Sequence, residues 1–322
     1  MHKLDIWENT DKIVFKEKFI EKYSKLTDWE EFKRYSCAYL RKCIRVNTLK
    51  ISVEDLKKRL EKEWNLEQVP WCKEGFWIEY KGEEKRWDVG NLKEHTLGYI
   101  YIQEAASMLP PLALNPKLGD LVLDMCASPG SKTTQMAQMM DNKGIIVAND
   151  LAGARLSPLG LNVQRCGVTN ILVSLSKGQY LKDLEFDKIL VDAPCSGTGT
   201  IRKSMKTILM WNENYAKKMQ SVQKRLIMNA YNLLKKGGEI VYSTCTLEPE
   251  EDEEVIDFVL EKYKDTESPL VVEKIELKGL KVSEPVMEYK NKKYNSQVKN
   301  CVRIWPQDND TEGFFICRLR KK

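Results

Sequence analysis

The chain has 322 residues, 42% of them hydrophobic and 31% charged, with a net charge of +5. That length predicts two folded units, and the composition excludes a disordered chain. No apolar run approaches the roughly 20 residues of a membrane span, "MHKLDIWENTDK" lacks a signal peptide's apolar stretch, and the nine cysteines and two histidines show no C-x-x-C spacing, so a cytoplasmic protein with no membrane partner, no metal site and reduced thiols is expected.

In chain order, "KIVFKEKFIEKYSKL" and "WEEFKRYSCAYLRK" read as helices, "CIRVNTLK" as a strand, "SVEDLKKRLEKE" as a helix capped by Ser52, and "GFWIEY" as a short aromatic strand. Residues 1–98 therefore form an expected α+β unit. From residue 99 to 322 the pattern is strand alternating with helix: "LVLDM" (121–125), "GIIVAND" (144–150), "NILVSL" (170–175), "KILVDAP" (188–194) and "GEIVYSTCT" (238–246). Such alternation predicts an α/β fold with a mostly parallel, doubly wound sheet, its Ile/Val/Leu runs covered on both faces.

In an open α/β sheet the ligand lies beyond the carboxyl ends of the strands. The first strand leads into "DMCASPGSKTT", a small-residue turn, and the second ends in Asp150, an acid suited to ribose hydroxyls. Ser131 stands where the second glycine of a phosphate-cradling G-x-x-x-x-G-K-[ST] loop belongs, and G-x-G-x-x-G is absent, so a nucleotide hydrolase is the weaker reading. An adenosine cofactor without phosphates needs only a turn and an acid, and S-adenosylmethionine is the candidate.

The fourth and fifth strands end in "DAPCSG" and "STCT", which sends Cys195 and Cys245 to the same edge of the sheet. Carbon 5 of a pyrimidine is too weak a nucleophile to take a methyl group unaided. A thiolate added to carbon 6 makes carbon 5 enamine-like, and Asp192 is placed to assist at N3 as the ring accepts the thiolate. The spacing brings both thiols to one site without ranking them. The remaining cysteines read as small buried residues.

These segments, with "GYIYIQEAASMLPPLAL", "VANDLAGARLSPLGLNVQRCGVTN", "GGEIVYSTCTLEPEEDEEVI" and "TEGFFICRLRK", resemble the Nol/Nop/Sun family of RNA cytosine-5 methyltransferases across roughly residues 43–320. The resemblance implies a Rossmann-like S-adenosylmethionine-dependent methyltransferase sheet with a small N-terminal RNA-binding domain like an RNA-recognition motif. It implies that Cys245 attacks carbon 6, that Cys195 assists breakdown of the adduct, that Asp192 meets N3, and that Lys132 lies in the catalytic pocket beside the cofactor. S-adenosylmethionine is then expected against Cys126, Ala127, Ser128, Pro129, Gly130, Lys132 and Asp192, with Asp150 on the ribose and Arg155 bracing it. The compact chain is similar to the archaeal tRNA enzymes, which implies a monomer acting on tRNA, with ribosomal RNA as the alternative.

The sequence departs from the family pattern at Lys177, where an acid usually accepts the adenine amino hydrogen bond, at Gln307, where His is common, and at Asp252, where Asn is frequent. A lysine accepts no hydrogen bond. Lys177 therefore leaves open an RNA-binding assembly factor with weakened cofactor binding. For the acidic run 250–254 the expectation is helix capping with no part in the site. The basic stretch 202–225, with seven Lys/Arg against Glu213, reads as a solvated helix face or a track for RNA phosphates, and the aromatics Trp71, Phe76, Trp77 and Trp211 read as core ahead of platforms for stacked bases.

Overall fold

The computed structural model describes every residue except 1–3, 9 and 85. Two short helices come first, α1 (Glu17–Tyr23) and α2 (Trp29–Ser36), the second capped by Asp28, which accepts hydrogen bonds from the amides of Glu30 and Glu31. Phe19 and Tyr23 of α1, Phe32 of α2 and Phe15 just before them pack on Ile201, Ile208, Trp211, Leu247 and Trp305. The first two helices thus rest on residues from the second half of the chain.

A four-stranded antiparallel sheet comes next, built from β1 (Cys43–Val46), β2 (Trp64–Gln68), β3 (Gly75–Tyr80) and β4 (Ile100–Ile102) in the order β2-β3-β1-β4. Helix α3 (Val53–Leu60) begins at Ser52, which accepts the Asp55 amide at 3.0 Å, and lays Leu56 and Leu60 on Ile44, Val46, Phe76 and Ile78. The short helix α4 (Lys93–Thr96) precedes β4. Arg45, between Ile44 and Val46, points to the opposite face by strand alternation. Its guanidinium, 1% exposed, donates to the Ser131 carbonyl at 2.8 Å and the Thr134 hydroxyl at 2.9 Å, joining this sheet to the larger one.

The larger unit runs α5 (Leu109–Leu114), β5 (Leu121–Asp124), α6 (Ser131–Met139), β6 (Ile145–Asp150), α7 (Gly153–Cys166), β7 (Ile171–Leu175), β8 (Phe186–Asp192), α8 (Lys206–Met210), α9 (Glu213–Leu233), β9 (Leu234–Thr244) and α10 (Glu253–Tyr263). It closes with β10 (Leu270–Glu273), β11 (Glu288–Tyr289), β12 (Lys292–Lys293), β13 (Val302–Ile304), α11 (Pro306–Asn309) and β14 (Phe314–Lys321). The sheet order is β10-β14-β9-β8-β5-β6-β7. Strands β9, β8, β5, β6 and β7 are parallel, and β14 runs antiparallel between β9 and β10. Strand β13 pairs with β14, and β11 with β12 makes a separate hairpin. The parallel strands therefore match the doubly wound expectation.

Two details differ from the sequence reading. Strand β9 starts at Leu234, ahead of the expected 238, because Leu234 pairs with Phe186 across an irregularity in β8. Strand β7 is an edge strand and is not covered on both faces: Leu172, Val173 and Leu175 are 60%, 48% and 58% exposed. An Ile/Val/Leu run signals a strand without telling whether a neighbour covers it.

Glu248, fully buried, fastens α1 to this unit by accepting from the Tyr23 hydroxyl at 2.9 Å and the Trp211 indole at 2.8 Å, and by pairing with the Lys22 ammonium. Glu248→Ala leaves a phenol and an indole N–H without an acceptor and Lys22 with only Glu250. The expected loss in denaturant unfolding is about 2–4 kcal/mol; a loss under about 0.5 kcal/mol, the scale of an exposed pair, would contradict the anchoring role.

Candidate functional site

Strand β5 pairs with β6 on one side and β8 on the other, so strand order reverses there and a crevice opens beyond the carboxyl ends. The parallel register sets Val191 against Tyr242 and Asp192 against Ser243. Both chains then leave the sheet, and the Sγ atoms of Cys195 and Cys245 come to 3.4 Å. Ser243 Oγ donates to Asp192 Oδ1 at 2.8 Å, and Lys132 Nζ donates to Asp192 Oδ2 at 2.7 Å. Lys132 sits in the first turn of α6, and its ammonium lies 5.6 Å from the centre of the Phe314 ring. The four residues expected from the sequence to carry catalysis are thus together.

Charge ranks them. Burial opposes the Lys132 ammonium, but the Asp192 carboxylate beside it, with help from Cys245, holds its pKa above the ordinary lysine value, so it stays protonated. The Cys195 thiol is pushed well up by its hydrogen bond to Cys245, then by burial and by the charge of Cys245 and Glu251. Either sulfur can donate in the contact between them.

The loops bearing the thiols are zipped together. Thr246 Oγ1 meets Ser196 Oγ at 2.7 Å and Thr198 Oγ1 at 2.9 Å, and the Gly199 amide donates to the Cys245 carbonyl at 3.0 Å. A β-carbon on Gly199 would stand 2.2 Å from the Gly313 carbonyl oxygen and 2.8 Å from that of Cys245, so only glycine permits this approach.

The acidic run corrects the capping expectation. Glu248, Glu251, Asp252 and Glu253 are fully buried, Glu250 nearly so, and Asp252, in the N-cap position of α10, makes no capping bond. Asp252 Oδ1 instead accepts the hydroxyl of Thr244, the residue before Cys245, at 2.6 Å, while Oδ2 faces Arg303 Nη2 at 3.2 Å. Arg303, itself buried, grips Glu253 through Nε at 2.7 Å and Nη2 at 2.6 Å. Glu251 Oε2 accepts the amide of Ser196, the residue after Cys195, at 2.9 Å. Sequence reasoning missed these supports; the one available signal was five acids in succession immediately after a strand-end thiol, more than one cap requires.

The turn after β5 contains half-buried Cys126, buried Ala127, Ser128, exposed Pro129 and Gly130 at φ +102°. Asp150 Oδ2 accepts the Ser128 amide at 3.1 Å, and Oδ1 accepts the Leu151 amide at 2.8 Å and Arg155 Nε at 2.9 Å. Arg155 also donates to the Ser128 carbonyl at 3.0 Å, so it braces turn and acid together. One lone pair of Oδ2 remains for a hydroxyl, and Leu151 and Leu175, 61% and 58% exposed, offer apolar surface at the ends of β6 and β7. A phosphate-free adenosine fits these residues. Lys177 is exposed beyond β7, its ammonium 6.0 Å from the Tyr180 ring centre. Gln307 bonds to the Thr27 hydroxyl at 2.9 Å, between α11 and the loop after α1.

The basic stretch loses two of its members as candidate RNA contacts, and the aromatics lie in the core, the reading favoured for them. Arg202 is 4% exposed and spent on the Tyr39 carbonyl at 2.7 Å and Asp310 at 2.8 Å, and Lys224 pairs with Glu254 at 3.4 Å. Lys203, Lys206, Lys217, Lys218 and Arg225 remain exposed. Trp71, Phe76, Trp77 and Trp211 are all in the core, 2–7% exposed. Among the described residues no group of three His, Cys, Asp or Glu is placed to hold a metal ion, and no helix is long and apolar enough to cross a membrane.

The chain is similar to known proteins in sequence and fold. A family model described as 16S rRNA methyltransferase RsmB/F matches residues 111–320, and one described as the N-terminal domain of 16S rRNA methyltransferase RsmF matches residues 15–105. The tRNA (cytosine(49)-C(5))-methyltransferase of Pyrococcus abyssi is 48% identical over 309 residues, covering 94% of this chain and 96% of that protein. Ribosomal RNA small subunit methyltransferase F of Vibrio atlanticus is 45% identical over 289 residues, covering 88% of this chain and 58% of its own length. The crystal structure of a methyltransferase homologue from Pyrococcus horikoshii superposes with a TM-score of 0.84 at 37% identity, over 96% of both chains. NSun6 from the same organism, solved with SFG, shares the fold at a TM-score of 0.82 and 24% identity, over 96% of this chain and 99% of that one.

Asp124 closes β5 under this site, its Oδ2 accepting the Thr133 hydroxyl at 2.7 Å. Burial, and then the charge of Asp192, pushes its pKa up to about 7. The folded state thus favours the protonated acid, and its stabilising contribution is complete below about pH 4 and lost as pH rises through the folded value. In Asp124→Asn the fall in unfolding free energy between about pH 4 and about pH 7 is expected to be shallower than in the unsubstituted protein; an unchanged slope would contradict the assignment.

Proposed function

The chain belongs to the RsmB/F methyltransferase family, and from that premise we propose that it transfers a methyl group from S-adenosylmethionine to carbon 5 of a cytosine in RNA, with tRNA as substrate. The carrying observation is the 3.4 Å thiol pair beside the Lys132–Asp192 ion pair. tRNA is favoured because the tRNA enzyme of P. abyssi is matched over 96% of its length, whereas the V. atlanticus ribosomal RNA enzyme is matched over 58%. The protein acts in the cytoplasm as a monomer.

S-adenosylmethionine, when bound, supplies an electrophilic methyl carbon. Asp150 and the turn 126–130 hold its ribose end, with Arg155 fixing the acid. Cys245, within the field of the Lys132 ammonium, adds as the thiolate through Sγ to carbon 6 of the cytosine. Negative charge then builds at N3, and the Lys132–Asp192 pair supplies a proton there, leaving carbon 5 enamine-like. After methyl transfer the carbon 5 proton passes to solvent, the N3 proton returns to the Lys132–Asp192 pair, and the C6–S bond breaks with its electron pair going to Cys245 Sγ, beside which Cys195 stands to assist release. The target base has to leave its stack to reach the crevice. Exposed Lys203, Lys206, Lys217 and Lys218 come soon after the Cys195 loop in the chain and suit flanking phosphates, and the four-stranded sheet of residues 43–102 borders the same side through Arg45.

Cys245→Ala is expected to abolish both methyl transfer and the covalent RNA adduct, whereas Cys195→Ala accumulates the adduct. Radiolabelled transfer to tRNA and denaturing gels of the mixtures measure both. Methylation by Cys245→Ala, with neither product nor adduct from Cys195→Ala, would reverse the two roles.

A further inference from the structure

The two thiols are supported by different acids. Cys245 directly follows a long strand, and Thr244 at the strand's end donates to Asp252, which Arg303 holds. Cys195 lies in an irregular loop between β8 and a short turn of 3-10 helix at Thr198–Thr200, with Gly197 at φ +71°. Its backbone is held by Glu251 and Gln223. Glu251 Oε2 accepts the Ser196 amide at 2.9 Å and Gln223 Nε2 at 2.8 Å, and the same Gln223 nitrogen donates to the Pro194 carbonyl at 2.9 Å. The residues on either side of Cys195 are thereby joined through one carboxylate oxygen. Glu251 is itself tied to the sheet, its carbonyl accepting the Tyr242 hydroxyl at 2.6 Å, and Tyr242 faces Val191 across the β8–β9 ladder. Glu251 and Gln223 are both fully buried.

We infer that Glu251, through Gln223, is the positioning residue for Cys195, so that release of methylated RNA, and not attack by Cys245, depends on it. The inference rests on the reading of Cys195 as the release group. Adjacent acids then serve opposite halves of one reaction, Asp252 the attacking thiol and Glu251 the releasing one. Because a single oxygen receives both donors, a neutral amide keeps the arrangement: the Oε1 of a glutamine accepts from Ser196 and Gln223 as the carboxylate does, whereas alanine frees the loop.

The test is single-turnover methylation of tRNA with intact protein, with adduct and methylated product measured separately. In Glu251→Ala the adduct is expected to form at the unsubstituted rate and to decay about tenfold more slowly, the scale of one lost hydrogen bond. Glu251→Gln restores decay, and Gln223→Ala slows it in the same direction; should Glu251→Ala fail to fold, Gln223→Ala is read in its place. Slowed adduct formation without accumulation, or failure of Glu251→Gln to restore decay, overturns the inference. Cys195→Ala in the same series separates the two levels. If it accumulates adduct while Glu251→Ala does not, positioning by Glu251 falls alone. If Cys195→Ala does not accumulate it, the reading of Cys195 falls as well.

Discussion

Ser243 and Asp192 face each other in the parallel pairing of β8 with β9, and the 2.8 Å hydrogen bond between their side chains fixes where each chain leaves the sheet. A slip of one residue would turn Asp192 to the other face and separate the thiols beyond it. The remaining pieces are built onto this pairing. Lys132 reaches the free oxygen of Asp192 from α6, Phe314 lies beside its ammonium from the antiparallel strand β14, and Gly199 lets the Cys195 loop close on Cys245.

Burying so much charge is costly unless each group finds a partner. The run from Glu248 to Glu253 finds them in three directions: Tyr23, Trp211 and Lys22 for Glu248, Ser196 and Gln223 for Glu251, Thr244 and Arg303 for Asp252. One short segment therefore fastens the N-terminal helices and both thiol loops. Desolvation pushes Glu251 up to about 7 and Asp252 well above the ordinary carboxylate range, opposed at Asp252 by Arg303.

Much of this was legible in the sequence. The Ile/Val/Leu runs marked the parallel strands, and the residues at their carboxyl ends put Asp150, Asp192, Cys195 and Cys245 at one edge. The features hidden from the sequence depend on tertiary partners. Nothing local in Leu172 or Val173 tells that β7 has no outer neighbour. Arg202 looks like its basic neighbours, yet its guanidinium is enclosed by the carbonyls of Ala38, Tyr39 and Thr311 from distant parts of the chain. The acids after Pro249 carry a good capping pattern, and only their burial against Arg303 and Gln223 assigns them to the site. The two thiols were expected at one site, and their Sγ atoms stand 3.4 Å apart; which of them attacks rests on the family resemblance.

The most direct measurement of the chemistry uses tRNA carrying 5-fluorocytosine. Fluorine at carbon 5 is not lost as a proton is, so the reaction halts with the base still bonded to the attacking sulfur. Proteolysis and mass spectrometry of the arrested complex should find the nucleotide on the peptide containing Cys245, with Cys195 unmodified. A nucleotide on Cys195, or no covalent complex in the presence of S-adenosylmethionine, would contradict the assignment.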